Sequence, residues 1–169
     1  MSNASERATL KNVVELNQKN YGTFEELEVY QAAREFRKKM YRVAKGLPDF
    51  EKFGLTSQMR RAALSLTNNI AEGHGRFHYM DNIRFVLISR GSLNELIDDL
   101  NTCEDENYLS QEKVAAAKEE GHSLRRQMNG YIRYLRDSKA GESLALHESC
   151  AAYGTDDDLS FLDELLTDD

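Results

Sequence analysis

The sequence predicts an all-α protein: an antiparallel up-down-up-down four-helix bundle with a flexible N-terminal arm and an acidic C-terminal tail. Three observations carry that prediction. Four segments repeat apolar residues at helical spacing. Helix breakers and strand formers are sparse, with one proline, no tryptophan and no cluster of β-branched residues. The connections between the four segments are short, so each apolar stripe is most simply buried against its neighbours in a bundle. On this reading residues 1–23 form a mobile arm, 24–138 the bundle domain and 139–169 a disordered acidic tail.

The first helix is expected from about Phe24 to Lys45. Val29, Ala33, Phe36, Met40, Val43 and Leu47 alternate steps of four and three, the rhythm of a coiled-coil-like seam. Gly46 and Pro48 end it. The connection that follows is rich in Phe, and Phe50 and Phe53 are expected to close one end of the bundle. Thr56 is a candidate N-cap for the second helix, because its hydroxyl can satisfy an orphan amide of the first turn. That helix runs to about Gly73, with a main stripe of Leu55, Met59, Ala62, Leu66, Ile70 and Gly73. Leu64 and Ala71 lie on a second edge, as they would in a helix shared between a core and a subunit interface.

A third helix is expected over about 80–106, with Val86, Leu93, Ile97 and Leu100 as its seam and Leu96 and Cys103 beside it. Small Ser89 and Gly91 would let a neighbouring backbone approach. Ser110 is placed as the cap of a fourth helix reaching about Asp137. Its seam is Val114, Ala117, Gly121, Leu124, Met128, Tyr131 and Leu135. Periodicity then stops, and the chain closes on the acidic, partly apolar run Asp156–Leu166.

A chain of 169 residues fits one domain with extensions. No apolar run approaches the length of a membrane helix, and the N-terminus lacks the apolar core of a signal peptide. Cys103 and Cys150 show no ligand spacing and read as reduced thiols, which points to the cytoplasm. The formal charge of −7 is unevenly spread. Residues 1–138 hold 21 Lys and Arg against 20 Asp and Glu, while residues 139–169 hold Lys139 against nine acids. The acidity is therefore a property of the tail and does not exclude a nucleic-acid partner.

Polar residues also keep helical spacing. Gln58, Arg61, Ser65, Asn69, Glu72 and Arg76 fall within one arc beside the second helix's apolar stripe, and Arg90 and Glu95 flank the seam of the third. Arg61, Ser65, Asn69, Glu72, Arg76, Arg90 and Glu95 are read as a structural polar network. Within it, Glu72 and Arg90 are expected to form an ion pair that fixes helix register, and removing one partner of such a pair costs about 3–5 kcal/mol.

No nucleophile, acid–base pair or phosphate loop accompanies these residues, so no catalytic site and no cofactor are expected. His74 and His78 are four apart, but Gly73 and Gly75 interrupt the helix that a metal pair would need, so no metal site is assigned. Tyr30, Tyr41, Tyr131 and Tyr134 are read as packing at the edges of the core. The basic residues carry the functional reading. Arg34, Lys38, Arg42 and Lys45 share a face of the first helix, and Arg126, Arg133 and Arg136 share a face of the fourth with His122 and Asn129. The two rows are expected to merge into one surface that contacts RNA or DNA through phosphates.

The segments FEELEVYQAAREF, FEKFGLTSQMRRAALSLTNNIAEGHGR and ISRGSLNEL resemble the four helix bundle proteins, also called 23S rRNA intervening-sequence proteins. The accessory variability determinants of diversity-generating retroelements are similar to that family. The likeness spans residues 24–137, and three motifs occur in the family's order and spacing. It implies an antiparallel four-helix protomer assembled into a pentameric ring. For the retroelement branch it implies a basic surface that engages a reverse transcriptase and nucleic acid. The arm before residue 24 and the tail after Ser138 depart from a minimal member, and the family has no settled biochemical activity.

The resulting expectation is a non-enzymatic, homopentameric, nucleic-acid-associated accessory module that binds without reading bases. The alternative is a protein-interaction scaffold whose ring and acidic tail recruit partner proteins. The tail is read as a solubilising appendage. If it instead competes for the basic face, deleting residues 139–169 should raise nucleic-acid affinity.

Overall fold

A computed structural model describes residues 22–76 and 78–144. Four helices make up nearly all of this region: α1 (Glu28–Lys45), α2 (Leu55–His74), α3 (Tyr79–Asp105) and α4 (Gln111–Leu144). Two 3-10 turns, Phe24–Glu26 and Asp49–Phe53, precede α1 and α2. There is no strand among the described residues. Residues 1–21 and 145–169, which hold most of the expected arm and tail, lie outside them. Helix α4 continues to Leu144, past the boundary set at Ser138.

One core joins the helices. Met40, Met59, Leu66, Ile70, Leu93, Leu96, Leu100, Met128 and Ile132 are all buried in it. Along α1 the buried positions are Val29, Ala33, Phe36, Met40 and Ala44, while Val43 and Leu47 are only partly covered. A straight helix turns every 3.6 residues, so a strict 3.5-residue seam drifts round its surface and the next position is buried instead. On α3 the same drift leaves Ile97 partly covered and buries Ile83, Leu96 and Cys103. On α4, Ile132 is buried and Tyr131 is half-buried.

Helices α2 and α3 form the closest pair. A Cβ built on Gly73 would lie 2.7 Å from Asn82 Oδ1 and 2.9 Å from Phe85 Cβ, so glycine is what permits this approach. Farther along, Ser89 Oγ donates to Leu66 O, and Ser92 Oγ donates to Ser65 Oγ at 2.8 Å. Residue numbers on α3 thus rise as those on α2 fall. Ser89 allows the approach expected of it. Gly91 does not: it is exposed, and a Cβ there would meet nothing within 4 Å.

The connections also differ from expectation. Thr56 lies inside α2, and the first amide is capped from outside the helix, where Leu55 N donates to Glu51 Oε2 at 3.0 Å. The 3-10 turn brings Glu51 one turn ahead of the helix, and a carboxylate is favoured at that positive end. Phe50 and Phe53, expected to close the bundle, are 76% and 88% exposed. Within the turn only Glu51 is directed at the bundle, toward Leu55 N and Tyr108 Oη, and both rings are left outside. After α3, Asn107 adopts φ 57°, and the amides of Tyr108 and Leu109 both donate to Cys103 O, a left-handed stop that Asn tolerates well.

Candidate nucleic-acid interface

The α1 row forms as a geometric feature. Arg34, Lys38, Arg42 and Lys45 are exposed on a helix whose opposite face is core. Lys38 is held by Glu35 at 2.6 Å, and that hydrogen bond, aided by the charges of Lys38, Arg34 and Arg42, lowers the Glu35 pKa against the opposing effect of burial. Among the described residues, Glu35 is the one acid shown paired within this row.

The α4 row does not join it. The side of α1 that meets α4 is marked by Lys39, whose Nζ lies 2.6 Å from Glu120, and by Phe36, which packs at Gly121. The side that meets α2 is marked by Arg37, which donates to Thr67 Oγ1 at 2.8 Å, and by Tyr41, whose ring carries Arg60 at 5.3 Å. At 100° per residue the α1 row centres on the outer side of the helix, with Arg34 and Lys45 nearer the α2 flank and Arg42 nearer Lys39. On α4, Lys118 reaches Glu104 at 3.3 Å and Asn129 accepts from Arg90 at 3.0 Å, so both mark the α3 side. Arg126, Arg133 and Arg136 lie within about 60° of Asn129 and therefore face α3. Two basic surfaces result, one on α1–α2 and one on α3–α4.

The α1–α2 surface extends through residues that sequence spacing did not connect. Next to Lys45 lies a hollow of about 360 Å³ whose lining includes Tyr41, Leu47, Lys52 and Arg60. A second hollow of about 310 Å³, lined in part by Lys39, Arg42, Leu47 and Tyr108, lies across the shared wall of Leu47. Five cations and one carboxylate, Asp49, border the two hollows. Lys52 and Arg60 belong to a turn and another helix, so only tertiary packing brings them to the α1 row.

The α3–α4 surface is built around Arg90. Its guanidinium is half-buried, donates to the neutral Asn129 and faces the like charge of Arg125, and burial followed by that repulsion lowers its pKa. The expected Glu72–Arg90 pair does not form. Arg90 points to the α4 side of α3, while Glu72, in the last turn of α2, is held by Arg76 four residues on. Arg76 also lies 4.7 Å from the ring centre of Phe85.

The rest of the proposed polar network divides in the same way. Ser65 accepts from Ser92 and from Asn69 Nδ2 at 3.0 Å, which links α2 to α3. Arg61 and Glu95 instead surround Asp99. Burial, then Glu95 and Asp98, push its carboxyl up to about 6 while Arg61 opposes them, and Asp99 Oδ2 has no hydrogen-bond partner. Cys103 is buried, and its thiol is pushed up to about 11 by that burial and by Asp99 and Glu51, so it stays protonated. Tyr30, Tyr41 and Tyr131 pack against the core as expected, whereas Tyr134 is exposed and stacks on Tyr131.

Among the described residues no three His, Cys, Asp or Glu side chains gather as a metal site would require. No described helix is long and apolar enough to cross a membrane.

The model of the 23S rRNA-intervening sequence protein family matches residues 25–130. The chain belongs to that family. The match covers α1 to α3 and the first part of α4, so the α1–α2 surface and Arg126 fall within it, while Arg133 and Arg136 lie beyond its end. A solved protein of unknown function from the S23 ribosomal protein family of Bacteroides thetaiotaomicron VPI-5482 superposes with a TM-score of 0.57. The alignment covers 62% of this chain and 97% of that one at 21% identity, which supports the fold alone. No curated protein matches the chain.

Proposed function

We propose that this family member is a non-enzymatic, cytoplasmic accessory module that holds RNA or DNA by charge and shape, without reading bases. The observation that carries this reading is the exposed row Arg34, Lys38, Arg42 and Lys45, continued by Lys52 and Arg60 around two hollows. Arg126, Arg133 and Arg136 supply a second, separate basic face. A family named for an intervening sequence of 23S rRNA makes RNA the first nucleic acid to try. Phosphate contacts add with each cation engaged and weaken with salt. A neutral or acidic surface would offer neither.

The protomer is proposed to be an up-down-up-down bundle that assembles into a homopentamer. Leu64 and Ile88 are 44% and 52% exposed in the protomer, and contact with a second copy would cover such residues. Those same residues favour the second reading, a scaffold whose ring positions partner proteins, a reverse transcriptase among them. In the accessory-module reading a ring multiplies the basic rows about its axis.

The test is fluorescence anisotropy with RNA, DNA and hybrid duplexes at two salt concentrations, with light scattering for mass. Salt-steep binding by ring-sized protein, weakened in Arg34→Gln/Lys38→Gln/Arg42→Gln, is the expected result. Salt-insensitive binding, or binding unchanged in that variant, would refute it. Unchanged capture of partner protein by the same variant would favour the scaffold. Truncation after Leu144 removes most of the acidic tail and keeps α4 whole; higher affinity in the truncated chain would show that the tail competes for the basic face.

A further inference from the structure

The α1–α2 corner exposes two aromatic rings among cations. Phe50 and Phe53 are 76% and 88% exposed, in a turn whose other side chains are partly engaged. Lys52 Nζ lies 5.5 Å from the centre of the Phe53 ring, and Phe50 stands edge-on to Tyr108 at 6.3 Å. Each ring thus sits beside one of the two hollows: Lys52 lines the first and Tyr108 the second. Glu51, which could have neutralised the corner, is turned away, with Oε2 accepting from Leu55 N and Oε1 from Tyr108 Oη, both at 3.0 Å. What remains exposed is two ring faces, Arg42, Lys45, Lys52 and Arg60, against two acids, Asp49 at the first hollow and Glu106, whose charge acts on Tyr108 at the second.

An apolar protein segment seated here would have to desolvate several ammonium and guanidinium groups without partners, at high cost. A membrane would take the rings but has no use for concave hollows. A nucleic-acid strand uses both features. Every base has a face that stacks on an aromatic ring, and each phosphate takes a cation. In a duplex the base faces are already stacked on one another, so only unpaired bases can use the rings.

We propose that this corner is a stacking platform for single-stranded nucleic acid, with bases on Phe50 and Phe53 and backbone phosphates on Arg42, Lys45, Lys52 and Arg60. The proposal rests on the nucleic-acid reading above and adds to it a preference for unpaired strands.

The experiment compares binding of the full chain to single-stranded oligo-uridylate and to an RNA duplex of equal length, across a salt series. The Phe50→Ala/Phe53→Ala variant removes only exposed rings, and far-UV circular dichroism checks that its helices persist. It should bind the single strand at least about thirtyfold more weakly, with duplex binding and the salt slope unchanged. The Lys45→Gln/Lys52→Gln variant should instead lower the single-strand salt slope by about 1.4, or about 0.7 per phosphate contact. If wild-type protein binds and the Phe variant binds the single strand equally well, the platform is wrong and the nucleic-acid reading survives. Equal losses for single strand and duplex would likewise rule out stacking. Failure of wild-type protein to bind either probe would overturn both readings.

Discussion

Glycines 73 and 91 are both helical, yet the structure predicts opposite effects when each becomes alanine. Alanine gains about 0.8–1.0 kcal/mol of helix propensity over glycine at either site. At Gly73 the new methyl would sit 2.7 Å from Asn82 Oδ1, 2.9 Å from Phe85 Cβ and 3.1 Å from Asn82 O. The last two atoms belong to or adjoin the α3 backbone, so relief requires the helices to separate. Overpacking of that kind costs about 1–3 kcal/mol, and contacts this short belong in the upper half of the range. Gly73→Ala should therefore lose about 1–2 kcal/mol net. Gly91 meets nothing within 4 Å, so Gly91→Ala should gain about 0.5–1 kcal/mol. Urea unfolding followed by far-UV circular dichroism measures both, and the gap between the variants should be about 1.5–3 kcal/mol. Equal stabilities would refute the close α2–α3 approach. A loss at Gly91 would show that a second copy covers that face.

Three further outcomes follow from buried or crowded charge. The Asp99 carboxyl is raised to about 6, so the folded state keeps a proton that the unfolded chain has released from about pH 4 upward. Its contribution is thus favourable at low pH and lost as pH rises through about 6. Discounted for its partial exposure, the cost near neutrality is about 1–2 kcal/mol. Asp99→Asn should raise the melting temperature near neutral pH and leave it unchanged near pH 4; a pH-independent effect would refute the assignment. Arg125 is exposed and repels the half-buried Arg90, so Arg125→Glu should stabilise the fold by about 1 kcal/mol in chemical denaturation, and a loss would contradict that proximity. Glu51→Ala removes the carboxylate that caps α2 and should cost about 1 kcal/mol, whereas Thr56→Ala, inside the helix, should cost little. Thermal melts of the two variants side by side would distinguish the caps.

The four helices were legible in the sequence because burying an apolar stripe forces a period of about 3.6 residues, and that period survives without knowledge of neighbours. Val29, Ala33, Phe36 and Met40 show it on α1, and Leu66 and Ile70 on α2. The exposed row Arg34, Lys38, Arg42 and Lys45 was legible for the same reason, being the complement of a buried face. Choices between adjacent positions were not. Ala44 replaces Val43, and Ile132 is buried beside half-buried Tyr131, because rotation about the helix axis is set by the neighbouring helix.

Which charges meet across helices was decided by tertiary structure alone. Glu72 and Arg90 are opposite in sign and lie on helices that touch, yet Arg90 turns to Asn129 and Glu72 to Arg76. Side-chain direction around the axis, which sequence spacing gives only within one helix, settles the pairing. The two basic rows separate for the same reason, since each is rotated toward a different neighbour. Their place in the connection marked Phe50 and Phe53 as closing one end of the bundle, and a short 3-10 turn held by Glu51 put them in solvent. A sequence fixes which residues share a face of one helix. Only packing determines what that face meets.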